Sequence, residues 1–122
     1  MYYVCVMNID NTKAQMRKGV LEMCILSLLS VEEMYTSDII EKLKNSQLVV
    51  VEGTLYPLLT RLKNAGLLQY YWQESTSGPP RKYFKITPEG HVFLNELKES
   101  WIEINEAVSL TTKNQAIHEQ DH

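Results

Sequence analysis

The sequence predicts a mostly α-helical chain with one small β-hairpin, arranged as a winged helix-turn-helix with a C-terminal dimerisation helix. Three observations carry this. Three apolar segments before residue 66 repeat at helical spacing. Two alternating segments then flank the turn-forming run Ser75-Thr76-Ser77-Gly78-Pro79-Pro80. A last apolar series, Leu94, Leu97, Trp101, Ile104 and Val108, steps by 3, 4, 3 and 4 residues.

Asp10-Asn11-Thr12 offers the first helix start. Met16, Val20, Met23, Cys24 and Ser27 follow at helical spacing beside Leu21, Ile25 and Leu28, and the helix should end near Ser30. Apolar groups on more than one face predict that it is sandwiched between other elements. Thr36 is expected to cap a second helix whose buried stripe is Ile39, Ile40 and Leu43. Leu48-Val49-Val50-Val51 reads as a brief strand or an extended linker. The third helix should run from about Glu52 to Ala65, with Leu55, Leu58, Leu59 and Leu62 inward and Gly66 closing it in a left-handed conformation. Pro57 places its start only shortly upstream.

Leu67 to Glu74 alternates, with Leu68, Tyr70 and Trp72 on one face and Gln69, Tyr71 and Gln73 on the other. Arg81 to Thr87 alternates again, so the two form a hairpin with a longish tip that carries Arg81 and Lys82. Thr87-Pro88 is an N-cap with proline at the first helical position, and a long helix follows. Its heptad-like series predicts a dimer seam. Past Thr111 the chain is polar and should fray. The expected divisions are an N-terminal extension (1–12), the winged helix-turn-helix (13–87), the dimerisation helix (88–112) and a polar tail (113–122).

A chain of 122 residues, 44% hydrophobic and 22% charged, fits one globular unit. The apolar stretch Tyr2 to Met7 has no basic residues before it and is too short to span a bilayer, so no membrane role is expected. Translation is expected to start naturally at Met7, making residues 1–6 an extension. Cys5 and Cys24 lack CxxC spacing, which suits a reducing cytoplasm, and Cys24 reads as a small core residue. The three histidines make no ligand set with them, so no metal or cofactor is expected. There is no nucleophile–base motif and no glycine-rich phosphate loop, which argues against an enzyme.

The net charge of −3 hides a segregation. Residues 54–85 hold Arg61, Lys63, Arg81, Lys82 and Lys85 against Glu74, a local +4, whereas residues 86–122 are locally −5. A phosphate-binding face, if present, sits in the middle third. Helix, helix, helix, hairpin and helix is the order of a winged helix-turn-helix, whose third helix enters the major groove of double-stranded DNA. The candidate DNA-binding residues are Thr54, Tyr56, Arg61 and Lys63 on the third helix and Arg81 and Lys82 on the hairpin. Each has a plainer reading: Tyr56 as packing, Arg61 as the partner of an acid, Arg81 and Lys82 as solubility charges. Trp72 reads as packing. The rival function is a winged helix used only for protein–protein contact.

At these residues the chain resembles the PadR family of transcriptional regulators. The resemblance rests on Gly53-Thr54-Leu55-Tyr56-Pro57-Leu58-Leu59 with Arg61-Leu62 and Gly66-Leu67, then Gly78-Pro79-Pro80-Arg81-Lys82-Tyr83-Phe84, then Ile86-Thr87-Pro88-Glu89-Gly90. Arg17 to Glu22 and Tyr35 to Leu43 also look like the family, so it covers roughly residues 13–110. The short C-terminal helix resembles the family's compact branch, which includes multidrug-sensing regulators. The resemblance implies a homodimer joined through the last helix, operator binding near its own promoter, and release by a small-molecule effector; two recognition helices in successive major grooves predict an inverted-repeat operator. It also implies that Trp101 stacks on a planar aromatic effector; its seam neighbours Leu97, Ile104 and Val108 would offer apolar walls. Glu103, Asn105 and Glu106 would favour a cationic guest at the rim. Pro79-Pro80 departs from members with more basic or glycine residues there, which implies a weaker phosphate grip.

Overall fold

The computed structural model describes residues 8–120, with side chains described through residue 113. The expected extension of residues 1–6, the start at Met7 and the last two residues of the polar tail lie outside the described residues. Four helices and three strands follow in the order α1 (Ile9–Val31), β1 (Met34–Tyr35), α2 (Thr36–Asn45), α3 (Glu52–Asn64), β2 (Leu68–Ser75), β3 (Gly78–Ile86) and α4 (Pro88–Gln120).

Helix α1 starts before the expected Asp10-Asn11-Thr12 because Asn8 is its cap. The Asn8 side-chain oxygen accepts from the amides of Asp10 at 2.9 Å and Asn11 at 3.4 Å. The sequence reading missed β1. Its two residues pair with β3, Met34 with Phe84 and Tyr35 with Tyr83, which makes a three-stranded antiparallel sheet of order β1-β3-β2. That pairing holds Tyr35 extended, so Tyr35 is the N-cap position of α2 and Thr36 is its first helical residue, buried. Leu48 to Val51 forms no strand, and Val50 alone of its valines is buried.

Helix α3 matches its expected span, and its four leucines are buried. It closes in a Schellman turn: the Leu67 amide bonds the Leu62 carbonyl, the Gly66 amide bonds the Lys63 carbonyl, and Gly66 has φ 81°. The wing is tighter than expected. Ser75 already pairs with Gly78, which leaves Thr76 and Ser77 as the turn. Pro79 and Pro80 belong to β3 at a bulge, facing Glu74 between the Gln73–Arg81 and Ser75–Gly78 pairs, and no strand covers the other edge beyond Tyr83, so their missing donors break no regular pairing. Arg81 and Lys82 therefore stand within the strand, opposite Gln73 and Trp72, and not at the tip.

Thr87 joins the wing, α3 and α4. Its hydroxyl donates to the Gly66 carbonyl at 2.7 Å and accepts from the Gly90 amide at 3.0 Å, while its own amide donates to the Leu67 carbonyl at 3.1 Å. The core beneath collects Ile25 and Leu26 of α1, Ile39 of α2, Leu55 and Leu59 of α3, and Phe84 of β3. Leu94 belongs to it as well, at 2% exposure, so it serves the fold of one chain and leaves the expected dimer seam. Helix α4 runs past the expected end near residue 112, because no glycine or proline interrupts it there.

Gly90 is the tightest point of the joint. A Cβ there would collide with the Leu67 carbonyl oxygen and lie 2.6 Å from the Ile86 Cγ1. Alanine inside a helix ordinarily gains up to about 1 kcal/mol over glycine. Here the sign reverses: Gly90→Ala should lower stability by about 1–3 kcal/mol in urea unfolding, because the obstruction is backbone.

Candidate nucleic-acid interface and the α1–α4 groove

The leucines of α3 define its buried side and thereby its outward one. At 3.6 residues per turn, Gly53, Pro57, Thr60 and Asn64 form the ridge directly opposite those leucines, and all four are exposed. The expected contact residues flank this ridge in two rows. Tyr56 and Lys63 lie along the wing side, and Thr54 and Arg61 along the α1 side. Tyr56 is 46% exposed, so part of its ring is open to a partner. Thr60 and Asn64, both hydrogen-bonding, were missed because a sequence window does not reveal the exact direction of the buried stripe.

Arg61 is not a free cation. Its Nε lies 3.1 Å from a carboxylate oxygen of Glu22 on α1, with the arginine side chain 75% exposed and the glutamate 14%. The plainer reading of Arg61, a partner for an acid, is thus realised, while most of the guanidinium remains open to solvent.

Arg81 and Lys82 occupy opposite faces of the wing. Arg81 shares a face with the tyrosine row Tyr35, Tyr83 and Tyr71, and its guanidinium sits 5.1 Å from the Tyr35 ring centre. Tyr35 and Tyr83 meet edge to face at 4.3 Å. Tyr71 donates to a Glu33 carboxylate oxygen at 2.6 Å, and this bond, followed by desolvation, pushes its pKa up to about 12. On the other face Lys82 points its ammonium at Tyr70, 4.3 Å from the ring centre, and at Trp72, 5.6 Å away. Lys63 reaches the same Tyr70 ring from α3 at 5.6 Å. Lys63 and Lys82 thus share the Tyr70 ring on one face of the wing, while Arg81 stands on the other. The two wing cations border a groove of about 400 Å³ with Tyr35, Thr36, Ser37, Glu52, Tyr56, Trp72 and Pro80.

A second groove, of about 440 Å³, runs between α1 and α4. Leu97, Trp101, Ile104 and Val108 line it from α4, and Met16, Gly19, Val20 and Met23 from α1. The α1 wall follows the apolar face that was expected to be sandwiched. Met16 is 73% exposed and Ile104 57%, so this face lies open in the single chain. Asn105 lines the groove, but Glu103 and Glu106 do not: helical period turns them to the other side of α4. Cys24 lies half-buried on the side of α1 that faces α2, and burial pushes its thiol pKa up. Among the described residues no group of His, Cys, Asp and Glu could hold a metal, and no helix is long and apolar enough to cross a membrane.

This architecture has known counterparts. The model of the transcriptional regulator PadR-like family matches residues 25–96. The chain belongs to the PadR-like family of transcriptional regulators. A PadR-like transcription factor from Bacteroides fragilis is similar at 63% identity and TM-score 0.71, over 83% of this chain and 98% of that one. A PadR family regulator from Eggerthella lenta gives 32% identity and TM-score 0.78, over 85% and 91%. A PadR-like regulator from Bacillus cereus gives 40% and 0.70, over 80% and 96%. As a PadR-like regulator the chain is a DNA-binding transcription factor and not an enzyme. Family membership weighs against the rival reading as a pure protein–protein module.

The Glu22–Arg61 pair makes a stability prediction that separates the two flanks of α3. Arg61→Ala strands a mostly buried carboxylate and should lower stability by about 1 kcal/mol. Lys63→Ala, on the wing flank, should stay within about 0.5 kcal/mol in the same thermal unfolding measurement.

Proposed function

We propose that this PadR-like regulator is a homodimeric repressor released from an inverted-repeat DNA operator by a planar aromatic small molecule. The observation that carries this is the open apolar groove between α1 and α4, with Trp101 on its wall. An apolar face of this length, left bare on a lone chain, calls for a cover, and a second copy of α4 supplies one. Leu97, Trp101, Ile104 and Val108 form the seam. Two-fold pairing brings two Trp101 indoles near one another, and two bulky rings at one level leave a flat slot. Leu97 and Ile104 wall that slot, and Ser100 and Asn105 offer it polar edges. The dimer presents two α3 helices to successive major grooves. There Thr54, Tyr56, Thr60 and Asn64 read base edges, while Arg61, Lys63, Arg81 and Lys82 hold phosphates.

Effector and operator are then linked. A guest that favours a spacing of the two α3 helices unsuited to the grooves lowers DNA affinity, and DNA lowers guest affinity by the same factor. In a Trp72→Phe protein, where Trp101 is the remaining tryptophan, a panel of planar cationic dyes should quench emission saturably at micromolar concentration. The same dyes should release a duplex selected from a random-sequence pool. Leu97→Glu should sediment as a monomer and lose both activities. A wild type that sediments as a monomer at micromolar concentration, or a dye panel with no effect on Trp101 or on DNA, contradicts the reading.

A further inference from the structure

Trp72 is the large aromatic group that the fold leaves without a task. It is 62% exposed, although its strand neighbour Tyr70 is half-buried against the core. Its ring meets Tyr70 edge to face at 6.4 Å, and its other side opens on the groove beside α2 and α3. A packing role does not account for that exposure.

The groove has a definite polarity. Arg81 and Lys82 stand at its wing end, Thr36 and Ser37 form the opposite wall, and Tyr56 comes from the wing flank of α3. Glu52, the one acid on the lining, stands at the start of α3 and disfavours a phosphate there. Its wing end therefore sets two cations beside one flat apolar surface, the Trp72 indole. A DNA strand has the complementary pair: a charged phosphate, then a deoxyribose with an apolar face. Lys82 is held by aromatic faces alone, an attraction weaker than a charge-assisted hydrogen bond to phosphate, so its ammonium is ready to swing to such a group.

We propose that Trp72 is a DNA-backbone contact, its indole packed on a deoxyribose while Arg81 and Lys82 hold the adjoining phosphate. This rests on the reading of the chain as a DNA-binding regulator and adds a non-ionic anchor to it. The anchor is independent of sequence, because every nucleotide carries the same sugar.

Affinity and its salt dependence test this together. The full-length protein is titrated with a duplex selected by the wild type from a random-sequence pool, and with the unselected pool, over a range of salt. Trp72→Ala should weaken both by about tenfold, the scale of a buried tryptophan anchor. Its salt slope should equal the wild type's, since no phosphate contact is lost. Lys82→Ala should flatten the slope by about one unit. Trp72→Phe, which keeps a flat apolar ring, should recover most of the lost affinity, and a thermal melt of each variant shows that the fold is kept. Unchanged affinity in Trp72→Ala, beside normal wild-type binding, overturns this proposal and leaves the DNA-binding reading standing. A flattened slope in Trp72→Ala shows that the indole acts only by placing Lys82, and also overturns it. A wild type that binds neither duplex overturns both readings.

Discussion

The hydroxyl of Thr87 is the small feature on which the rest of the architecture turns. One hydroxyl both donates to the Gly66 carbonyl in the turn after α3 and accepts from the Gly90 amide in the first turn of α4. A helix start has amides with no partner of its own, and here one side chain serves such an amide of α4 while also tying down the turn that follows α3. The Gly66 turn and the bare Cα of Gly90 let the segments close to this distance. The direction in which α4 leaves the wing is thereby fixed at short range, by the Thr87 bonds and the close backbone approach at Gly90.

That rigidity gives the two surfaces a common frame. The outward ridge of α3 and the cations of the wing lie on one side of the joint, and the α1–α4 groove on the other. Helix α1 touches both. Met16, Gly19, Val20 and Met23 line the groove, and Glu22, on the same helix, pairs with Arg61 of α3. A change in how α1 and α4 pack would thus be felt at α3 through a stiff helix and an ion pair whose carboxylate is mostly shielded from water. The acids of α4 that stand away from the groove keep that end of the molecule unattractive to phosphate.

Much of this was legible in the sequence, because it depends on local period and local caps. The α3 leucines, the Gly66 turn, the Thr87 cap and the apolar face of α4 each follow from neighbours within a few residues. What escaped depends on contacts distant in the chain. Strand β1 is two residues long and exists only because β3 offers it an edge. Leu94 has the spacing of its seam neighbours, and only the packing of α4 on the core distinguishes it. Arg81 and Lys82 left the tip because two prolines, ordinarily turn-formers, are taken into β3 at a bulge opposite Glu74. Trp72 was read as packing since an aromatic in an alternating strand usually is, and its exposure depends on where the core ends. The Glu22 partner of Arg61 lies 39 positions upstream, beyond any local window.

The central claim is that two copies of α3, held in a fixed frame by the α4 dimer, read one DNA site. Hydroxyl-radical footprinting on a duplex selected from random sequence measures this most directly. The account predicts two equal protected half-sites in inverted orientation, their centres about 34–36 Å apart along the helix axis. A single protected patch without two-fold symmetry would contradict it.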